Sequence, residues 1–249
     1  MPVFDRLQQR QDDWVRQLLA LPRHGTGRMI SEDVDFTFGR GYWGADERPL
    51  LPPVSLLSWL IRNFEVPPGK PVDDDRRARL AAGDPATVES ALAELRTAGL
   101  GKGWHVLEGA SYPDVFIETP DTLVVVEGKR TEIGPTTHTS WMATRHQMWR
   151  HIDAAWEIRG RRLVLGFFIV EGRGQDASDV PEAWAQAARD TLSAAAIEGS
   201  FPHRSQAERE GIIGGFLGAT TWQAVCAQFD IDYTSLPDRV VLHGEQAPA

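Results

Sequence analysis

The sequence predicts an α/β fold, and three observations carry that prediction. Two apolar runs, 115–117 and 123–126, are joined through Thr119-Pro120-Asp121-Thr122, the pattern of a β-hairpin with its turn in the middle. The run 162–170 is apolar almost without interruption, as a strand covered on both faces requires. Segments 87–98 and 141–158 repeat apolar residues at helical spacing, one before the hairpin and one after it.

Each element follows in chain order. Phe4, Leu7, Trp14, Leu18 and Leu19 predict a helix over 4–20, ended by Pro22 and Gly25. A Gly- and Asp-rich loop is expected through Pro49, with Trp43 in it as a surface candidate for base stacking. Pro52-Pro53 starts a second helix at 54–62. Residues 65–85, with four prolines and the run Asp73-Asp74-Asp75-Arg76-Arg77, read as a linker or exposed connection. Residues 1–84 thus read as an N-terminal helical extension with its linker, ahead of a core at 85–249.

The core starts with the helix at 87–98, between Asp84-Pro85 and Gly99. A strand near 103–108 and the hairpin follow. Then come a helix at 141–158 capped by Thr139 or Ser140 and the strand at 162–170. Beyond it, a helix near 181–196, a Gly-rich strand or bend running into a helix within 211–228, and a short strand at 239–243 make up C-terminal additions.

The hairpin carries the chemistry. A turn at Thr119 to Thr122 sets Asp114 directly across from Glu127, with Cβ atoms roughly 4.5–5.5 Å apart. Lys129 lies two residues beyond Glu127 and so projects from the same face. Like charges in opposed positions destabilise a hairpin unless a cation bridges them. An oxygen-rich pair of this kind suits Mg²⁺, which polarises phosphoryl oxygens and lowers the pKa of water. Lys129 can orient the attacking water or steady charge on phosphate, or act as a base if desolvated. Phosphodiester hydrolysis is the reaction these parts suit.

Pro113-Asp114, twelve intervening residues and Glu127-Gly128-Lys129 resemble the PD-(D/E)xK nucleases, the restriction-endonuclease-like superfamily. The resemblance implies an α/β core of helix, three-stranded meander, helix and strand, and a nuclease domain at 85–249. It implies that Asp114 and Glu127 bind Mg²⁺, or Mn²⁺ in its place, that the Gly128 carbonyl joins them, and that Lys129 assists the water. Many relatives carry a further acid on the first core helix, a position that falls on Glu89, with Glu94 as its rival. One subgroup has a Gln-x-x-x-Tyr motif that contacts DNA; here Gln147 is followed by His151 in place of the tyrosine.

Composition bounds the partners. At 249 residues, 42% apolar and 24% charged, the chain has the make-up of a globular protein with no apolar run long enough for a membrane span. Cys226 is the one cysteine, which excludes an intrachain disulfide or a cysteine-built zinc site and fits a cytoplasmic location. The formal charge is −9, yet residues 127–162 carry seven Lys and Arg against four Asp and Glu. Binding to nucleic acid needs a local patch rather than a basic total. Arg130, Arg145, Gln147, Arg150 and His151 are the expected nucleic-acid contacts, with DNA the expected substrate. The alternative is a non-catalytic nucleic-acid-binding module that keeps the nuclease fold. A homodimer or a partner subunit is compatible with either.

Overall fold

The computed structural model describes residues 2–66, 74–98, 103–136, 142, 144–173 and 177–237. The fold is α/β, built on a sheet of six strands: β1 (Arg23–His24), β2 (Arg40–Trp43), β3 (Val115–Glu118), β4 (Thr122–Gly128), β5 (Leu163–Val170) and β6 (Phe216–Thr221). Their spatial order is β1-β6-β5-β4-β3-β2. β2, β3 and β4 form an antiparallel meander. β5 lies parallel to β4, β6 parallel to β5, and β1 antiparallel to β6.

The alternation of strand side chains divides the core into two layers. Val115, Ile117, Val124, Val126, Leu165, Phe167 and Ile169 join one layer with α1 (Pro2–Leu7), α2 (Trp14–Leu19) and α10 (Trp222–Gln228). Phe116, Leu123, Val125, Val164, Phe168 and Val170 join the other with α6 (Gln147–Ile158), α7 (Glu182–Thr191) and α9 (Gln206–Ile213). β4 is covered on both sides, which is why Leu123-Val124-Val125-Val126 has no polar alternation. Gly166 lets α6 approach β5 closely: a Cβ there would lie 2.7 Å from Ile152 and 2.9 Å from the Met148 sulfur.

The hairpin register is the one expected. Val115 faces Val126 and Glu118 faces Leu123, and the turn closes with the Thr119 N–H donating to the Thr122 carbonyl at 3.0 Å. The two threonine hydroxyls lie 2.8 Å apart beneath it.

Several expectations are corrected. No strand forms at 103–108; Gly103 takes φ 148°, and Trp104 turns inward to donate to Glu94 at 2.9 Å. The third meander strand is β2, from the segment expected to be a loop. Residues before 84 thus add strands as well as helices, since β1 and β2 form the two edges of the sheet. Trp43 lies in β2, is buried, and donates to Asp5 at 2.8 Å, so it is no stacking platform.

The helix expected at 4–20 is split into α1 and α2 by the exposed polar stretch 8–13. The expected linker holds α4 (Asp75–Ala81), capped by the Asp74 carboxylate. With α3 (Val54–Arg62) and α5 (Pro85–Ala98) it builds a third apolar cluster, completed by Trp104, Leu107 and Met142. This helical unit is an insertion between the neighbouring strands β2 and β3. Leu50 and Ser111 tie its two ends by exchanging backbone hydrogen bonds of 2.8 and 2.9 Å.

Downstream, the helix expected at 181–196 divides into α7 and α8 (Ala194–Ser200), and α9 is an element the sequence reading did not include. α6 begins at Gln147 with His146 as its cap. Thr139, Ser140 and the strand expected at 239–243 lie outside the described residues.

Candidate functional site

The site forms where β4 runs past the end of β3. Asp114 immediately precedes β3, and the hairpin register carries it across from the end of β4. There its Oδ2 accepts the Gly128 N–H at 2.8 Å. Lys129 follows β4, held by its own N–H donating to the Ile169 carbonyl of β5 at 2.7 Å. The Lys129 ammonium sits 2.8 Å from Glu127 Oε2, 3.8 Å from Asp114 Oδ2 and 4.0 Å from Glu132 Oε1. Asp114, Glu127 and Lys129 therefore form one cluster, on the face of the sheet that α6 covers.

His151, one turn into α6, completes it. Its Nε2 lies 2.5 Å from Glu127 Oε1. The contact is short but not aligned as a hydrogen bond, and both atoms are closed to solvent. The ring's Nδ1 is also buried and has no hydrogen-bond partner.

The two acids differ in charge. Burial, then the neighbouring Glu127 charge, pushes the Asp114 carboxyl up to about 7, against the pull of Lys129 and the Gly128 N–H. Burial would also raise Glu127, but the His151 contact and then Lys129 outweigh it and hold that carboxyl at about 2. For Lys129, burial acts downward, yet Glu127 and Asp114 more than offset it and raise the ammonium above its ordinary value. In this arrangement the two carboxylates favour the ammonium form of Lys129.

The other expected site residues are placed differently. Glu89 is exposed on α5, which packs against α3 and α4, and it makes no hydrogen bond or ion pair with the cluster. Glu94 is taken up by Trp104 and His105. Arg145 is fully buried just before α6. Its guanidinium donates to Glu108 at 3.2 and 3.3 Å, to Asp153 at 2.7 Å and to the Ser200 carbonyl at 2.9 Å. With those partners it is an internal tie and not a phosphate contact.

Arg130 donates to Glu171 at 2.9 Å, to Tyr233 and to the Pro237 carbonyl. Arg150 reaches Glu108 at 3.7 Å and the Gly109 carbonyl at 3.4 Å. Gln147 opens α6 half-buried, its backbone N–H on the Thr136 carbonyl at 2.9 Å. His151, expected at a nucleic-acid surface, is instead buried against Glu127.

The sequence reading missed Glu132, whose spacing of three from Lys129 is its one signal. It also missed the contact between His151 and Glu127, which has no sequence signal because it joins a strand to a helix packed on it. Cysteine chemistry is unsupported: burial pushes the Cys226 thiol up to about 11.

Among the described residues no three His, Cys, Asp or Glu side chains are arranged to hold a metal ion together. Two carboxylates, with water and substrate oxygens in the remaining positions, are the protein share that Mg²⁺ commonly takes. The donor set fits: Asp114 and Glu127 supply carboxylate oxygens at one place, and Lys129 is the cation that lies within 4 Å of both. No helix among the described residues is long and apolar enough to cross a membrane. No protein-family model, curated protein or solved structure matches the chain.

Proposed function

We propose that the chain is a Mg²⁺-dependent nuclease of the PD-(D/E)xK type that hydrolyses phosphodiester bonds in DNA. One observation carries the reading: Asp114, Glu127 and Lys129 converge at the end of one hairpin, with Lys129 within 4 Å of both carboxylates. The spatial arrangement supports it as well. An antiparallel meander, a helix, and a strand parallel to the meander's last member follow the order that the resemblance implies, with the first strand drawn from the N-terminal segment.

In this reading Asp114 and Glu127 hold the divalent cation. Its contribution is Lewis acidity toward a phosphoryl oxygen. Glu127 supplies a permanent negative charge because His151 and Lys129 keep it ionised. The Gly128 N–H fixes the orientation of Asp114. Lys129, as an ammonium, steadies the charge that builds on phosphate oxygens as a water attacks in line with the departing oxygen. Most of the arginines near the site are bound to internal carboxylates and carbonyls. Weak affinity for uncut DNA, with a shallow dependence on salt, is the consequence.

The test is a cleavage assay on purified protein with linear and circular DNA and with RNA, in Mg²⁺, in Mn²⁺ and in chelator. DNA cleavage that needs the cation and falls about 10²–10³-fold in Lys129→Ala is expected. Equal cleavage by wild type and Lys129→Ala overturns the assignment. Binding without turnover, indifferent to the cation, would instead favour the non-catalytic module.

A further inference from the structure

We infer that His151 is a positioning residue for Glu127, seated on one carboxylate oxygen so that the other, on the Lys129 and Asp114 side, is left for the cation. The inference rests on reading Glu127 as a ligand of the divalent cation.

The two oxygens of Glu127 have different neighbours. Oε1 lies 2.5 Å from His151 Nε2, and Oε2 lies 2.8 Å from the Lys129 ammonium. Oε1 is shut off from solvent against Nε2, so Oε2, on the side shared with Lys129 and Asp114, is the oxygen left for a cation. At 2.5 Å two bare lone pairs would repel, because the separation is already shorter than an ordinary N–H···O bond. A hydrogen on Nε2 resolves this. The other ring nitrogen points to the same answer. Neither ring nitrogen has an aligned hydrogen bond, but only Nε2 has a carboxylate oxygen against it, and a buried N–H with no acceptor nearby is rarer and costlier than a bare acceptor. The ring hydrogen therefore belongs on Nε2, between His151 and Glu127.

Packing keeps the ring in place. Met148 and Ile152 flank His151 on α6 and press against Gly166 of β5, the strand beside β4. The helix cannot rotate or lift without losing that contact. His151 thus limits Glu127 to one available oxygen and holds its carboxylate plane, the task that hydrogen-bonded partners of metal-binding carboxylates perform elsewhere. Among the described residues His151 makes no hydrogen bond or ion pair with Asp114. Its effect passes through Glu127.

The experiment uses the full chain and Mn²⁺ as the probe, with binding followed by calorimetry and by the Mn²⁺ electron paramagnetic resonance signal. His151→Gln keeps an N–H within reach of Oε1 and His151→Met removes it. Binding within a few-fold of wild type is expected for His151→Gln, and about 10–100-fold weaker binding for His151→Met. Saturating Mn²⁺ should restore most of the cleavage rate of His151→Met, as a residue acting through the ligand predicts. Nitrogen-15 NMR of the imidazole in the wild type, which does not depend on any variant folding, should show the hydrogen on Nε2. Mn²⁺ affinity unchanged in His151→Met, or a wild-type ring bare at Nε2, overturns the inference and leaves the nuclease reading standing. A wild type that binds no Mn²⁺ and cleaves no DNA sinks that reading and this inference together.

Discussion

Asp114 and Glu127 face each other across one hairpin, yet their environments drive them apart. Asp114 is held at about 7, first by burial and then by the charge of Glu127, whereas Glu127 is held at about 2 by His151 and Lys129 against its own burial. The consequences for stability have opposite signs. Asp114 binds its proton more tightly in the folded state, so it favours folding fully below its ordinary value of 3.8, and that contribution is lost as the pH rises towards about 7. Glu127 favours folding above its ordinary value of 4.5, and its contribution is lost as the pH falls towards about 2. Asp114→Asn is therefore expected to gain stability over wild type between pH 5 and pH 8, on the order of 1–3 kcal/mol. Urea melts at the two pH values measure it, and a constant difference between the proteins contradicts it. Excess Mg²⁺ should flatten the wild-type slope, because a bound cation favours the ionised form of Asp114.

At the scale of elements, the site depends on how α6 lies on β5. Gly166 supplies the space: an added Cβ would meet Ile152 at 2.7 Å and the Met148 sulfur at 2.9 Å. Gly166→Val must push α6 outward or force its side chains off their rotamers, at a cost of about 1–3 kcal/mol. His151 rides on the same turn of helix, so the substitution should weaken Mn²⁺ binding as well as lower the melting temperature. A melting temperature and an affinity both equal to wild type would show that the contact is not limiting. The hairpin is legible in the sequence because its register is set locally, by a four-residue turn and by strand alternation. β2 is not. Its residues Arg40-Gly41-Tyr42-Trp43 have no strand pattern of their own, and they extend only because the edge of β3 offers hydrogen bonds from more than seventy positions away.

The whole molecule is tied together by a buried charge network. Asp153 on α6 accepts Arg145 at 2.7 Å, Arg204 at 2.8 Å and His203 at 3.1 Å, and Arg145 also binds Glu108. The network links the base of the helical insertion, α6 and the segment between α8 and α9. Removing one member leaves buried charge without its partner. Arg145→Ala should lose about 3–5 kcal/mol, read as a lower urea midpoint with an unchanged slope. Fully retained stability would mean that the neighbouring charges reorganise without cost. Arg145 also shows why sequence reasoning misjudges such residues. A lone arginine in an apolar stretch needs an anion, but its anions come from positions 108 and 153, which only the folded chain brings to it.

What the sequence by itself determined is the local part: the α/β class, the central strands, the hairpin register, and with it the meeting of Asp114, Glu127 and Lys129 at one end of a ribbon. Alternation and turn geometry act over a few residues, so they can be read without the rest of the fold. Tertiary structure alone decided which strands close the sheet, that 44–114 is largely an insertion between two of them, that Glu89 stays outside the cluster, and that His151 and Arg145 turn inward. Each of those outcomes depends on partners distant in the chain, strand edges for the sheet and buried carboxylates for His151 and Arg145, and such pairing has no periodicity for a sequence to display.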